Sequence, residues 1–368
     1  MVRTTAAVTA ERGAPFVIED VDLDEPAPGE VRVALVASGV CHTDAVARDG
    51  DLPFPVPGVL GHEGVGHVDA VGEGVTKVAV GEPVLLGWPW CGRCRNCLAG
   101  QPRYCRELGP LLVGGGRPDG TTALRRVDGT PLHSHFFGQS SFARHAVVAE
   151  RAVVPVRTAT SLEAVGVLAC GVATGAGAVL NALRMEPGGS IAVFGAGAVG
   201  LAAVMAARLT AATKIIAVEP NAGRREKAVR YGATEVIDPG AERDVVGVVQ
   251  EICDGPADAA LDCTGIAPVI RQAVDSVGML GTAVLIGAAP AGAEFSADHL
   301  STLWGKRIVG TLGGESQSGR FVPALLELHD QGRFPFTDLI EYFPLDELNE
   351  AIAASHHGEV IKPVVRMA

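Results

Sequence analysis

The sequence predicts an α/β protein in two parts: a β-rich, irregular first part and a doubly wound parallel sheet. Three observations carry this. Residues 1 to about 170 run as short apolar and polar alternations broken by Gly and Pro. From Val172, Ala-rich helical stretches alternate with short strands at 191–194, 214–218, 234–237, 258–263 and 282–287, the rhythm of repeated βα units. One stretch, Ser190 to Leu209, joins a strand to a helix through glycines and centres the second part.

In chain order, Phe16–Ile18 and Val31–Val36 read as antiparallel strands on either side of the turn Pro26-Ala27-Pro28-Gly29. Val40 to Ala47 suits a short helix, and Pro53, Pro55 and Pro57 impose an extended loop. Gly61 to Val84 returns to strand character, and Arg106 to Thr130, Gly-rich and charged, reads as the segment most prone to disorder. After the second part, Gly305 to Gly314 leads the chain back towards the first. A helix (Val322 to Gln331), a strand (Ile340 to Phe343), a helix (Leu345 to Ser355) and a terminal strand at 361–365 then follow.

The glycine stretch is Phe194-Gly195-Ala196-Gly197-Ala198-Val199-Gly200. Strand, G-x-G-x-x-G and helix in succession form a dinucleotide-binding signature, because only glycine allows the tight turn and the close approach of a pyrophosphate to the backbone. The helix N-terminus adds free N–H groups and a positive dipole end. Glu219 ends the next strand, nineteen residues past Gly200, where a carboxylate grips the adenosine ribose hydroxyls. That carboxylate also repels a 2′-phosphate and so favours NAD, although Arg224 and Arg225 follow closely and an arginine there can host the phosphate.

The 368 residues suffice for two cores; 48% are apolar and 20% charged, with a net charge of −12. That acidity argues against nucleic acid and anionic membranes as partners. No apolar run reaches spanning length, and Met1–Thr5 lacks the apolar core of an export signal, so a cytoplasmic chain is expected.

Four of the eight cysteines, Cys91, Cys94, Cys97 and Cys105, fall within fifteen residues. Arg93, Arg95 and Asn96 between them rule out an apolar core segment. Four thiolates on one tight lobe suit a closed, structural zinc site; a nucleic-acid zinc knuckle has the same spacing but clashes with the acidic chain. A second, dispersed set is Cys41, His62 and Cys170, with Glu63 beside the histidine. Taken singly such residues usually pack in a core. Together, two thiolates and one imidazole leave a coordination position open, as a catalytic zinc needs.

Gly39-Val40-Cys41-His42-Thr43-Asp44, Gly61-His62-Glu63, the four-cysteine lobe, Cys170-Gly171 and the glycine loop occur in an order that resembles the zinc-dependent alcohol dehydrogenases of the medium-chain dehydrogenase/reductase superfamily. Phe136-Phe137-Gly138-Gln139-Ser140-Ser141-Phe142-Ala143 and Phe334-Pro335-Phe336-Thr337-Asp338-Leu339-Ile340 look like the aryl-alcohol (benzyl alcohol) branch, of which geraniol-type dehydrogenases are close relatives. The resemblance implies a GroES-like catalytic domain at 1–171, completed by 313–368, and a Rossmann NAD-binding domain at 172–312. It implies two zinc ions, NAD, and hydride transfer from a small alcohol.

Carried over by position, the resemblance makes Thr43 the hydroxyl that accepts the alcohol proton and Asp44 the partner of the His62 ring. Glu63 becomes a tuning group behind the metal. His42 and Lys362 become contacts to the cofactor pyrophosphate, and Thr174, Ile286 and Ala288 further cofactor contacts. Leu52, Trp88, Phe136 and Phe137 become the substrate wall. One departure concerns Val46, which stands where liver-type members place a histidine that completes the proton relay. The resemblance also implies a homodimer or homotetramer, with Gly281 to Ile286 in or next to the joining strand. The alternatives are an S-hydroxymethyl-thiol (formaldehyde) dehydrogenase on the same fold and a zinc-free quinone reductase relative.

Overall fold

The computed structural model of the chain describes residues 1–183 and 185–367. Two compact units emerge: one comprises Met1–Cys170, Gln317–Asp330 and Thr337–Ala368, the other Gly171–Ser316 and Gln331–Phe336.

The first unit is built on two sheets. The longest strand, Glu30–Gly39, buries Val31, Val33, Leu35 and Ala37 on one face through strict alternation. Gly64–Val71 and His145–Ala149 pair with it antiparallel. The chain's last strand, Lys362–Arg366, joins it too, setting Val364 against Gly39. This non-local pairing draws the C-terminal segment into the first unit. The other sheet orders Gly58–Val59, Val2–Thr9, Val17–Leu23, Leu124–Arg126 and Pro131–Leu132. The expected helix near residue 40 runs from His42 to Asp49.

Residues 106–130 differ from expectation. They form a helix at Leu108–Val113 and the strand Leu124–Arg126, which pairs with Val17–Leu23. The charges that suggested disorder are spent on partners: Arg117 reaches Glu30 at 2.9 Å and Asp24 at 3.3 Å, and Arg126 reaches Glu19 at 2.8 Å. Arg117 and Glu30 are nearly buried, so their attraction is poorly screened by solvent. Composition cannot reveal such pairing.

Among the described residues the second unit holds six parallel strands. In sheet order they are Glu235–Ile237, Lys214–Val218, Ser190–Phe194, Ala257–Asp262, Val277–Leu285 and Arg307–Gly310. Numbered along the chain this is 3-2-1-4-5-6, the doubly wound order whose direction reverses beside the first strand. The helix Ala198–Ala207 is buried from Gly200 through Ala207, as an apolar helix without a polar face must be. The sheet's edges are Glu235–Ile237 and Arg307–Gly310, and the 281–286 run lies mostly one strand inside the latter. Among the described residues no single helix is long and apolar enough to cross a membrane.

Candidate active site

Cys41, His62, Glu63 and Cys170, up to 129 positions apart in the chain, present ligand atoms within 4.8 Å of one another. Cys41 precedes the helix His42–Asp49 as its N-cap. Asp44, three residues on and fully buried, accepts the Cys41 backbone N–H at 2.9 Å and the Gly61 N–H at 3.2 Å. It also bonds His62 Nδ1 at 2.9 Å. One carboxylate thus fixes the helix start, the loop before His62 and the imidazole tautomer. Nε2 is turned away from Asp44, is buried and makes no hydrogen bond among the described residues. That is how a metal-ligating histidine is held, with one nitrogen on a carboxylate and the other aimed at the ion.

Burial is the strongest single influence on the His62 pKa and depresses it, yet the charge and hydrogen bond of Asp44 together with those of Cys41 outweigh it and raise it well above the ordinary value. The Cys41 thiol lies well below its usual range, first through its hydrogen bond with Cys170, then through the charges of His62 and Lys362. The Cys170 thiol is pushed up correspondingly by the same hydrogen bond and by burial. Burial lifts Glu63 to about 7 against the pull of Lys362. Its Oε1 receives the Lys362 ammonium at 2.6 Å, while Oε2 is buried without a hydrogen bond among the described residues. A side chain at Gly39 would occupy the place of that carboxylate. The donor set of two sulfurs, one imidazole nitrogen and a nearby carboxylate matches zinc chemistry.

The four-cysteine lobe passes a separate test. Ligands about 2.3 Å from a tetrahedral zinc lie about 3.8 Å apart; Cys91–Cys97 and Cys94–Cys97 sulfurs are 3.9 and 3.4 Å apart. Backbone N–H groups of Cys94, Cys91 and Arg106 donate to the sulfurs of Cys91, Cys105 and Cys94 at 3.3–3.4 Å. The Arg106 amide leads the effects that bring Cys94 down to about 6, whereas burial drives Cys97 up to about 12. Four sulfurs this close ionise together only around a cation.

Among the remaining candidates, Thr43 Oγ1 lies 3.6 Å from Cys41 Sγ. His42 is exposed at the helix start. Lys362, 2% exposed, is held by Glu63 and by the Val40 carbonyl at 2.9 Å, so its ammonium has little access to anything else. Phe137 and Phe136 pack on His62 with ring centres at 4.5 and 5.7 Å, and Trp88 meets Phe137 at 5.1 Å. Phe136 is wholly buried against Phe54 and supports this wall from behind. Leu52, half-buried, packs on the same core.

In the second unit, Gly195 takes φ +92°, and a side chain at Gly200 would strike the Gly195 carbonyl, while the space at Gly197 is open. A backbone with room in front of it is what a pyrophosphate needs. Ala198, Val199 and Gly200 open the helix. Glu219, 4% exposed, accepts the Ala196 N–H at 2.7 Å and the Asn221 N–H at 2.9 Å. It therefore also holds the glycine loop in shape, and each oxygen keeps a lone pair for a ribose hydroxyl. Arg225 is committed to the carbonyls of Glu219 and Pro220 and to Asp238; Arg224 Nε is buried without a hydrogen bond among the described residues. Ile286 and Ala288 follow the end of Val277–Leu285, and Thr174 lies in the helix Gly171–Gly177.

Gln139 escaped the sequence reading. Its buried amide accepts from Gly64 N–H at 3.0 Å and donates to the carbonyls of His62 at 3.0 Å and Leu86 at 3.3 Å. It ties to the His62 segment a loop in which His135, Phe137 and Ser140 all adopt left-handed backbone. Such residues cost about 1–3 kcal/mol each and persist only where their surroundings over-determine them. A polar residue amid aromatics and small residues was the one available signal.

A doubly wound nucleotide fold joined to a unit with an open Cys–His–Cys set and a closed four-cysteine lobe defines a zinc-dependent dehydrogenase. Comparison with known proteins agrees. The alcohol dehydrogenase GroES-like domain matches residues 27–158 and the zinc-binding dehydrogenase domain matches 198–329. Geraniol dehydrogenase of Castellaniella defragrans is 42% identical over 99% of this chain and 98% of its own length. S-(hydroxymethyl)glutathione dehydrogenase of Paracoccus denitrificans is 36% identical over 99% of this chain and all of its own. Two crystal structures superpose along the whole chain: an alcohol dehydrogenase zinc-binding domain protein from Burkholderia ambifaria (TM-score 0.97, 45% identity, 99% of that chain) and benzyl alcohol dehydrogenase from Acinetobacter calcoaceticus (0.96, 40%, 100%). The chain belongs to the zinc-dependent alcohol dehydrogenases of the medium-chain dehydrogenase/reductase superfamily. It is an alcohol dehydrogenase that uses NAD(P) and two zinc ions.

Proposed function

We infer that the enzyme oxidises primary aromatic or allylic alcohols to aldehydes, reversibly, with NAD. The observation that carries this is the aromatic wall at His62: Phe137 lies over the imidazole tilted by 30°, with Trp88 edge-on to it and Phe136 tilted. A flat, conjugated alcohol gains there from stacking and burial, and conjugation stabilises its aldehyde.

Cys41, His62 and Cys170 would hold the catalytic zinc and Cys91, Cys94, Cys97 and Cys105 the structural one. When bound, the catalytic ion supplies a Lewis acid that lowers the pKa of a hydroxyl, and the nicotinamide supplies the hydride acceptor. Asp44 keeps His62 in the tautomer that leaves Nε2 bare. Thr43 takes the alcohol proton at Oγ1 and hands its own onward. Val46 cannot continue the relay, so the proton leaves through water. Lys362 neutralises Glu63 behind the site.

In a steady-state screen with NAD, kcat/KM for benzyl or cinnamyl alcohol is expected to exceed that for ethanol by at least about a hundredfold, roughly 2.7 kcal/mol of transition-state binding. Phe137→Leu should narrow the gap by hurting the aromatic substrate alone. Equal efficiency on ethanol would exclude this reading. The glutathione-adduct relative favours one alternative, oxidation of an S-hydroxymethyl thiol; strict dependence on a thiol cosubstrate would establish that reading instead.

Glu219→Ala should weaken NAD and improve the use of NADP, since it removes both the ribose acceptor and the repulsion of a 2′-phosphate. With Arg225 already committed, the exchange rests on Arg224. A wild-type preference for NADP would overturn the assignment. A homodimer formed along the free edge Arg307–Gly310, flanked by exposed Leu303 and Trp304, would close that strand to further pairing. Light scattering at micromolar concentration should give twice the chain mass or a multiple of it; a clean monomer excludes the assembly.

A further inference from the structure

The lobe that carries the four cysteines also touches the aromatic wall. Its short helix Pro102–Tyr104 lies directly before Cys105, and the Asn96 amide donates to the Tyr104 carbonyl at 2.6 Å, so helix and cysteines form one piece. Arg103 points from this helix into the protein and is 6% exposed. Its guanidinium carbon lies 4.4 Å from the centre of the Trp88 ring, and Nη2 donates to Ser318 Oγ at 3.0 Å. Trp88 meets Phe137 edge-on at 87°, and Phe137 lies over the His62 imidazole. Guanidinium, indole, phenyl and imidazole make a continuous chain of ring contacts from the four-cysteine lobe to a ligand of the other metal site.

A buried cation is an expensive way to fill space, and an apolar side chain of similar volume usually does so at lower cost. Desolvation accordingly brings Arg103 down to about 10. What an apolar chain lacks is a flat charged face. A guanidinium lies parallel on an indole and fixes its rotation, whereas the compact ammonium of lysine does not. Trp88 has no hydrogen bond at Nε1 among the described residues, so its orientation rests on these ring contacts and on the apolar core it packs against.

We propose that Arg103 is a positioning residue for substrate selection: it holds Trp88, and through its edge-on contact Phe137, in place beside His62, and so makes the shape of that aromatic wall depend on the folded four-cysteine lobe. The kinetic part rests on the aromatic-alcohol reading; the positioning part does not.

The test uses the zinc-loaded enzyme with Arg103→Met, which keeps bulk, and Arg103→Lys, which keeps charge without the plane. In both, kcat/KM for benzyl alcohol is expected to fall about tenfold, mainly through KM, while that for ethanol changes by less than about twofold. Both zinc ions stay bound. In a Trp90→Phe, Trp304→Phe background, Trp88 is the only tryptophan, and its emission should shift to the red in either Arg103 variant as the ring loosens. Equal losses on both alcohols, or wild-type kinetics in Arg103→Lys, would overturn the proposal. If Arg103→Met does not fold, Arg103→Lys decides alone. Should the wild-type enzyme show no aromatic preference, the substrate reading fails and the fluorescence decides Arg103 by itself: an unmoved Trp88 emission refutes the positioning role.

Discussion

Cys41→Ser is expected to lower kcat/KM by at least about a thousandfold while the protein stays folded, because the Lewis acid it helps to hold is worth several kcal/mol at the transition state. The sulfur is one of only two in the open site, and Cys170 with His62 leaves too few strong donors to retain zinc. The fold survives because Cys41 is fixed by its backbone: its N–H is bonded to Asp44, and serine is a good residue at a helix N-cap. Metal analysis should therefore find one zinc per chain instead of two, with an unchanged melting temperature. Retention of both zinc ions with activity within about tenfold of wild type would remove Cys41 from the site.

Cys97→Ser should do the opposite. Cys97 is, with Cys105, one of the two buried cysteines of the lobe, and it approaches both Cys91 and Cys94. The lobe from 91 to 105 has only a four-residue helix and a single 3₁₀ turn, too little regular structure to hold itself together. Its stability is then largely the binding energy of its metal. The melting temperature is expected to fall by at least about 10 °C, the shift that a loss of several kcal/mol produces in a chain of this size. Lobe zinc lost with normal thermal stability would show that the metal is dispensable for folding. Together the two serine variants separate one metal that serves the reaction from one that serves the fold.

The parts of this enzyme that are legible in its sequence are those set by local backbone geometry. The glycine loop is one, since the strand, the left-handed turn at Gly195 and the small residue at Gly200 are satisfied within a few residues. The four-cysteine lobe is another, because its spacing places all four sulfurs on one short segment. The βα rhythm after Val172 likewise follows from periodicity. Pattern and resemblance together singled out Cys41, His62 and Cys170, but their approach within 4.8 Å depends on how the 30–39, 64–71 and C-terminal strands pair.

Other features belong to the tertiary structure alone. Asp44 serves Cys41, Gly61 and His62 at once, Gln139 pins a left-handed loop to the His62 backbone, and Arg103 stacks on Trp88. Lys362 is spent on Glu63 across 299 residues of chain. Each of these side chains is polar, and its burial is favourable only where partners from distant segments meet it with the right geometry. A one-dimensional pattern records which groups need partners; only the packed chain supplies them.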